Sequence, residues 1–263
     1  MVTGVELAVF DANFHPVLRA NPAHQLERHL RELQALGISR ALAVDLPHQN
    51  VHLSSHEYVE LVSSVSGFTP VPALRAEHPA ELLVEFSHLV EAGVRMVKIH
   101  PRRLGLSYES EELKQLIAGA RDSSTGVLLC TYPYKRTAAP GECLHLPTLL
   151  DRLVPTTGLP PMILMHGGGP QLLEVCEWAR HQSNVLVDLS FTMTQLASSS
   201  VGLDIQNALE RFEERLVLGS DAPYEDLQSF VRLRDYFLGS VDHRTRELVA
   251  SRNLERFVAQ QAH

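Results

Sequence analysis

Histidine is the residue type that first suggests chemistry in this sequence. The chain of 263 residues contains 14 histidines. Asp11, Asn13 and His15 alternate in the segment DANFH, and Lys98 and His100 alternate in VKIHP. Alternate residues of a β-strand point to the same side of the sheet, so each set would present its side chains together. Imidazole, carboxylate and amine groups gathered in this way suit acid–base chemistry or metal binding.

Three more segments place a single reactive residue after an apolar run. His166 lies in LMHGGGP, Asp221 in LGSDAPY and Cys130 in LLCTYPYK. Each also has a structural explanation: a lone histidine is often hydrogen-bonded inside the core, Asp221 could cap a helix, and Cys130 could be a buried apolar thiol. The glycines at 167–169 could turn the chain into a helix and hold an anion on backbone N–H groups.

Basic and aromatic residues follow two of these segments. Arg102 and Arg103 come directly after VKIHP, and either guanidinium could hold a substrate carboxylate through two hydrogen bonds. Tyr132, Tyr134 and Lys135 follow LLC and could reach the same region. Ordinary surface exposure is the alternative for each of these residues.

Short apolar runs alternate with longer amphipathic segments, a pattern typical of parallel β-strands joined by helices. The runs predict strands at 7–11, 40–45, 69–74, 96–100, 127–131, 162–166, 185–189 and 216–221. The amphipathic segments predict helices at 23–36, 55–65, 80–92, 110–121, 147–153, 171–181, 203–213, 224–238 and 244–259. Cap chemistry marks helix starts at Asn21–Pro22 and at Ser110.

Eight strands, each followed by a helix, predict an α/β fold with one closed (β/α)8 barrel that spans residues 1–263 as a single domain. An open doubly wound sheet is the alternative, but such sheets usually carry a glycine-rich loop after the first strand, and here that loop reads DANFHP. Barrel enzymes place their chemistry at the C-terminal ends of the strands. The polar residues described above fall at those ends.

Composition narrows the class of protein. The net charge is −8 and 44% of the residues are hydrophobic, which disfavours a disordered chain and a nucleic-acid-binding face. No apolar run is long enough for a membrane helix, and we expect no secretory signal. Cys130, Cys143 and Cys176 form no CxxC pair, so we expect reduced thiols and a cytoplasmic location. The expected partner is a small-molecule substrate. For the oligomeric state, both a monomer and a homo-oligomer are compatible with the sequence.

The succession DANFH, VKIHP, LMHGGGP and LGSDAPY, closing with ASRNLERF, resembles the amidohydrolase superfamily over nearly the whole chain. The nearest resemblance is to its amidohydrolase-2 branch, which includes lactone hydrolases and aminocarboxymuconate-semialdehyde-like decarboxylases. This resemblance implies a (β/α)8 barrel that carries one divalent metal, zinc or manganese, at the strand ends. It also implies that some lactone hydrolases of the branch need no metal.

The resemblance transfers residue by residue, with two departures. His15, His166 and Asp221 match family positions, whereas Asn13 and Cys130 stand where the family has histidines. Asparagine is a weak ligand for zinc, and a cysteine can bind zinc as a thiolate. The implied metal ligands are therefore His15, Asp221, Asn13 and Cys130, or the metal is absent because of the two replacements.

The leading functional hypothesis is a hydrolase of a small carboxylated lactone, ester or amide. Asp221 would take a proton from the attacking water, with or without a metal. The other expected roles are oxyanion stabilisation by His166, His100 and Lys98, and substrate binding by Arg102, Arg103 and Tyr132. The alternatives are a non-oxidative decarboxylase on the same barrel, and a barrel that has lost its metal and serves as a binding or accessory protein.

Overall fold

Eight short, largely buried β-strands form the centre of the molecule. In the computed structural model, the described residues are 7–19, 21–76, 78–132, 145–154 and 158–261. Runs of Val, Leu, Ile and Met form most of the strands because both faces of a parallel sheet are covered. The strands are β1 (Val9–Phe14), β2 (Ile38–Val44), β3 (Phe68–Val71), β4 (Met96–Ile99), β5 (Gly126–Cys130), β6 (Met162–Met165), β7 (Val185–Asp188) and β8 (Leu216–Val217).

The strands pair in parallel in sequence order, first β1 to β3 and then β4 to β8. Backbone hydrogen bonds join the two groups at both ends. Lys98 N–H donates to the Pro72 carbonyl at 2.8 Å, and Ala12 N–H donates to the Leu218 carbonyl at 2.7 Å. A further bond runs from Asp221 N–H to the Asn13 carbonyl at 2.8 Å. These bonds link β3 to β4 and the end of β8 to β1, so the predicted (β/α)8 barrel is confirmed.

Helices connect the strands. Their bounds are α1 (Pro22–Gln34), α2 (Ser55–Ser63), α3 (Pro79–Glu91), α4 (Pro101–Leu104), α5 (Glu111–Asp122), α6 (Leu146–Leu153), α7 (Leu172–Arg180), α8 (Thr192–Leu196), α9 (Val201–Arg211), α10 (Leu227–Gly239), α11 (His243–Glu247) and α12 (Asn253–Gln260). The short helices α4 and α8 follow β4 and β7 and were not predicted. A π-helical turn, Leu248–Arg252, joins α11 to α12 within the segment predicted as one helix.

Cap chemistry explains some helix boundaries and not others. Ser110 accepts a hydrogen bond from Leu113 N–H and begins α5 as predicted. Asn21 makes no side-chain cap bond; it takes a left-handed conformation with φ of 53°, and Pro22 provides the first helical residue. The helix predicted from residue 224 begins at Leu227 instead, because Asp226 caps it by accepting from Ser229 N–H. Among the described residues, no helix is long and apolar enough to cross a membrane.

Two apolar layers fill the molecule. One lies between the strands and the surrounding helices, and the other lies inside the barrel. The inner layer includes Phe10, Leu128 and Ile163 from the strands together with Leu254 and Phe257 from α12. Because α12 closes the N-terminal end of the barrel with these side chains, the opposite end is the one open to a ligand.

Candidate active site

One cavity of about 220 Å³ lies at the C-terminal ends of the strands. It brings together eight of the ten residues to which the sequence assigned a catalytic, substrate-binding or metal-binding role: His15, Lys98, His100, Arg102, Arg103, Tyr132, His166 and Asp221. The other two, Asn13 and Cys130, are buried against these residues. Tyr134 and Lys135 lie outside the described residues. We call this space the catalytic cavity.

Asp221 is held at the cavity by its backbone and by two side chains. Its φ of 54° is left-handed, a conformation that costs energy for a residue other than glycine and that clusters at functional sites. Its Oδ1 accepts a hydrogen bond from Asn13 Nδ2 at 3.0 Å and lies 3.1 Å from His15 Nε2. Burial alone would raise the pKa of Asp221, but the contact with His15 and the charge of His166 lower it below its usual value.

His15 lies against the Asp221 carboxylate and is bound to the backbone on its other side. Its Nδ1 lies 2.7 Å from the Val44 carbonyl, which can only accept, so Nδ1 carries a hydrogen. The contact with Asp221 then needs a second hydrogen between Nε2 and Oδ1. Burial, aided by the positive charge of Lys98, disfavours the imidazolium and lowers the pKa of His15 to about 4. The imidazole is therefore neutral at neutral pH, and the pair takes up this second hydrogen only in acid.

A chain of four side chains orients His166 on the other side of the cavity. Ser190 Oγ donates to Asp188 Oδ2, so the same oxygen must accept from His166 Nδ1, which lies 3.1 Å away. His166 Nε2 is therefore the atom left for the thiol of Cys130, with which it is hydrogen-bonded. Asp188 and Ser190 alternate at the end of β7, and this spacing is the sequence signal that could have identified them.

Cys130 is paired with two histidines. Burial would raise the pKa of the thiol, but the hydrogen bonds and charges of His100 and His166 lower it well below its usual value. Burial would likewise lower the pKa of His166, and the thiol raises it to about 9 instead. These directions describe a thiolate next to an imidazolium and not an apolar thiol.

The glycine-rich turn after β6 positions His166. Residues 166–169 all have positive φ, between 51° and 74°. A Cβ at Gly167 would lie 2.8 Å from Leu172 Cδ1, so glycine is needed for space as well as conformation. The Gly168 N–H donates to Thr131 Oγ1 at 3.1 Å, and the His166 N–H to Asp188 Oδ2 at 3.3 Å. Because these N–H groups are already bonded inside the protein, the turn is not built to hold an anion on them.

Cationic and aromatic side chains form the outer part of the cavity. The Arg102 guanidinium lies 5.5 Å from the centre of the Tyr132 ring. Arg103 donates to His48 Nδ1 at 2.6 Å and to the Tyr224 hydroxyl at 3.2 Å, and the last two also bond to each other. Leu46, Phe191 and Tyr224 complete the wall. These three follow strand ends, which is the signal that could have identified them.

The segment DANFH does not present its three polar residues together. The pairing of β1 with β2 shifts register between Asp11 and Phe14. Asn13 and His15 therefore reach Asp221, whereas Asp11 accepts hydrogen bonds from the backbone N–H groups of Asn13 and Ser220, both at 2.9 Å. Burial raises the pKa of Asp11 to about 6. Asp11 thus supports the backbone beneath the cavity.

The four residues expected to bind a metal do not form one coordination site. An N–H group of Asn13 faces Asp221 Oδ1, where a cation would bind. Cys130 is paired with histidines rather than with His15 or Asp221. Within the described ranges, no group of three or more His, Cys, Asp or Glu side chains is arranged to hold a metal ion. The donors therefore do not fit a divalent metal, and the ligand role stays a prediction from the resemblance.

A closed (β/α)8 barrel with His, Lys and Asp side chains around a cavity at its strand ends is the architecture of a barrel enzyme. The chain belongs to the amidohydrolase family of enzymes, whose model, described as Amidohydrolase, matches residues 13–257. No curated protein matches the chain. The family covers both hydrolysis and decarboxylation, and both activities occur among proteins of the same fold.

Solved structures show the same fold across almost the entire chain. An uncharacterized TIM-barrel protein from Bordetella bronchiseptica is 19% identical with a TM-score of 0.77, covering 98% of this chain and 100% of its own. A dihydroxybenzoic acid decarboxylase from Polaromonas sp. JS666, with bound manganese and the inhibitor 2-nitroresorcinol, is 11% identical with a TM-score of 0.66, covering 96% and 97%. A probable 2-pyrone-4,6-dicarboxylic acid hydrolase from Acinetobacter baumannii with citric acid bound is 13% identical with a TM-score of 0.62, covering 95% and 99%.

Proposed function

We propose that this protein hydrolyses a small carboxylated lactone, ester or amide. The observation that carries the proposal is the placement of an ionised carboxylate, Asp221, in the same small cavity as the cationic side chains of Lys98, Arg102, Arg103 and His166. A carboxylate can take a proton from water, while cations bind an anionic substrate and stabilise an oxyanion.

The attacking water would be activated at Asp221. Among the described residues, the hydrogen bonds to this carboxylate go to Oδ1, which leaves Oδ2 for a water in the cavity. As the water oxygen bonds to the substrate carbonyl carbon, its proton passes to Asp221. Asn13, which donates from Nδ2 to Oδ1, keeps the carboxylate oriented.

Side chains across the cavity from Asp221 would stabilise the oxyanion and protonate the leaving group. Lys98 and His100 are placed to stabilise the negative charge on the former carbonyl oxygen. His166 is charged at neutral pH and shares its Nε2 hydrogen with the Cys130 thiolate, and this hydrogen would pass to the leaving oxygen or nitrogen as the bond to carbon breaks. Arg102 and Arg103 would hold the substrate carboxylate, with Tyr132 supporting Arg102.

A non-oxidative decarboxylase is the second candidate, and the charged His166 is the observation that favours it. Loss of carbon dioxide leaves a carbanion that must receive a proton, and His166 could supply that proton. The two reactions use the same cavity and differ in whether water is incorporated into the product.

Isotope labelling with matched variants tests the proposal. Turnover of carboxylated lactones and esters in ¹⁸O-labelled water should place one labelled oxygen in the product acid. Asp221→Asn should lower kcat by about 10²–10⁴-fold because it removes the base, whereas the exposed Asp235→Asn should leave it unchanged. Release of carbon dioxide without ¹⁸O incorporation would establish the decarboxylase, and full turnover by Asp221→Asn would remove Asp221 from the mechanism.

A further inference from the structure

A second cavity, which we call the annex, lies beside the catalytic cavity at the ends of β2, β3 and β4. It encloses about 210 Å³. Leu46, Lys98, His100 and Arg103 contribute to the walls of both cavities. The two spaces therefore adjoin along one wall, and that wall carries Lys98, assigned to the oxyanion, and Arg103, assigned to the substrate carboxylate.

The remaining wall of the annex is mainly apolar. The side chains that make it so are Pro47, Ala73, Leu74, Ala76 and Leu104. Two of these are alanines, which leave space where larger side chains would fill the barrel end. Concave apolar walls with a few convergent polar groups are typical of sites for small organic ligands.

Away from the shared wall, the charged groups of the annex, Asp45 and Arg75, are paired with each other. Asp45 is fully buried, and its Oδ2 accepts from Arg75 at 2.5 Å while its Oδ1 accepts from Asn50 Nδ2 at 3.0 Å. Arg75 also donates to the carbonyls of Asn50 and Leu53. One buried nitrogen of Arg75, Nε, has no hydrogen-bond partner within the described residues. The annex therefore suits an uncharged apolar group with at most one hydrogen-bond acceptor.

We infer that the substrate carries an aryl or alkyl group that occupies the annex, while its carboxylate lies against Arg103 at the shared wall. The reacting carbonyl then faces Asp221 in the catalytic cavity. This substrate class rests on the proposed function, but the binding geometry can be tested without turnover. It predicts discrimination by the size of the apolar group attached to the acid.

Isothermal titration with two unreactive carboxylates, acetate and 2-naphthoate, provides the test. The wild-type protein should bind 2-naphthoate at least about tenfold more tightly than acetate, because the ring system loses contact with water. Ala73→Leu fills the annex and should remove most of this gain while leaving the affinity for acetate unchanged. Ala35→Leu makes the same change at an exposed position after α1 and should have no effect.

A second variant and a catalytic variant keep the outcomes separate. Leu104→Phe fills the annex from α4, so the result does not depend on whether Ala73→Leu folds. Asp221→Asn should lose turnover and retain the preference for 2-naphthoate, which separates the substrate class from the reaction. Equal affinities for the two acids in the wild-type protein, or a preference that survives in both folded filling variants, would overturn the inference.

Discussion

Cys130 is buried between two histidines at the ends of neighbouring strands, and its thiol sets the charge of His166. The Asp188–Ser190 pair fixes which ring nitrogen of His166 faces the thiol. A thiolate stabilises a nearby imidazolium, and this outweighs the burial that would otherwise favour the neutral ring. His166 should therefore stay charged up to a pH of about 9.

Removal of the thiol should move this titration. In Cys130→Ala, burial acts on His166 without the thiolate, so its pKa should fall well below 9, although the charges of Asp221 and Asp188 still favour the imidazolium. NMR titration of the His166 ring measures the change directly, and the alkaline limb of the activity profile should move to lower pH with it. A His166 titration that stays at about 9 would show that the thiol does not control the charge.

Cys176 offers a matched control for this change. It is a second buried cysteine, in α7, and burial raises its pKa to about 12. Cys176→Ala removes an uncharged thiol from the helix layer and should leave the His166 titration unchanged. The ultraviolet absorbance of the thiolate at neutral pH should disappear in Cys130→Ala and persist in Cys176→Ala.

At the scale of elements, the segment after β8 carries Asp221 across the mouth of the barrel. Strand pairing of β8 ends at Val217, four residues before Asp221, because the chain bends over β1. Gly219 lies inside this bend in close contact with its neighbours. A Cβ at this position would lie 2.5 Å from Asp188 Oδ1 and 2.8 Å from Asn13 Cβ.

Gly219→Ala should therefore lower the free energy of unfolding by about 2–4 kcal/mol, because the overlap forces the bend away from two side chains of the site. Chemical denaturation measures this loss. Gly239→Ala is the control, at the end of α10. Among the described residues, no atom outside the neighbouring helix backbone lies within 4 Å of the added Cβ. This variant should stabilise the helix by about 0.5–1 kcal/mol. A neutral Gly219→Ala would mean that the bend can shift without cost.

At the scale of the whole molecule, the charge of the chain and the charge of its cavity have opposite signs. The net charge is −8, yet Lys98, Arg102, Arg103 and His166 share one cavity. Exposed charges are screened over about 8–10 Å at moderate salt, whereas buried ones are screened much less. Anion binding should then depend on the local cluster and not on the overall charge.

Two lysine variants separate these contributions. Lys98→Met and Lys114→Met each remove one positive charge from the chain, but Lys98 is buried at the cavity and Lys114 is on α5, paired with Glu111. Lys98→Met should weaken benzoate binding by about tenfold or more, and Lys114→Met should leave it unchanged. Calorimetric titration distinguishes the two, and equal losses would assign binding to the overall charge.

The local pattern of the sequence was sufficient for the barrel and for most of the cavity wall. Apolar runs, helical periodicity and polar residues at strand ends are short-range features of the sequence. Each one indicates which side chains of a single helix or strand are buried. They located His15, Lys98, His100, His166 and Asp221 at one end of the barrel. Because parallel strands bring their C-terminal ends to one rim, the convergence of these residues followed from the fold alone.

Tertiary structure decided which of these side chains touch and in what state. Cys130 meets His166 and His100 across neighbouring strands, and Ser190 meets His166 across 24 residues of chain. The register shift in β1 separates Asp11 from Asn13 and His15. Packing and burial in the folded chain create the contacts between distant residues and the pKa shifts that depend on these contacts. The periodicity and spacing of the sequence therefore do not predict them.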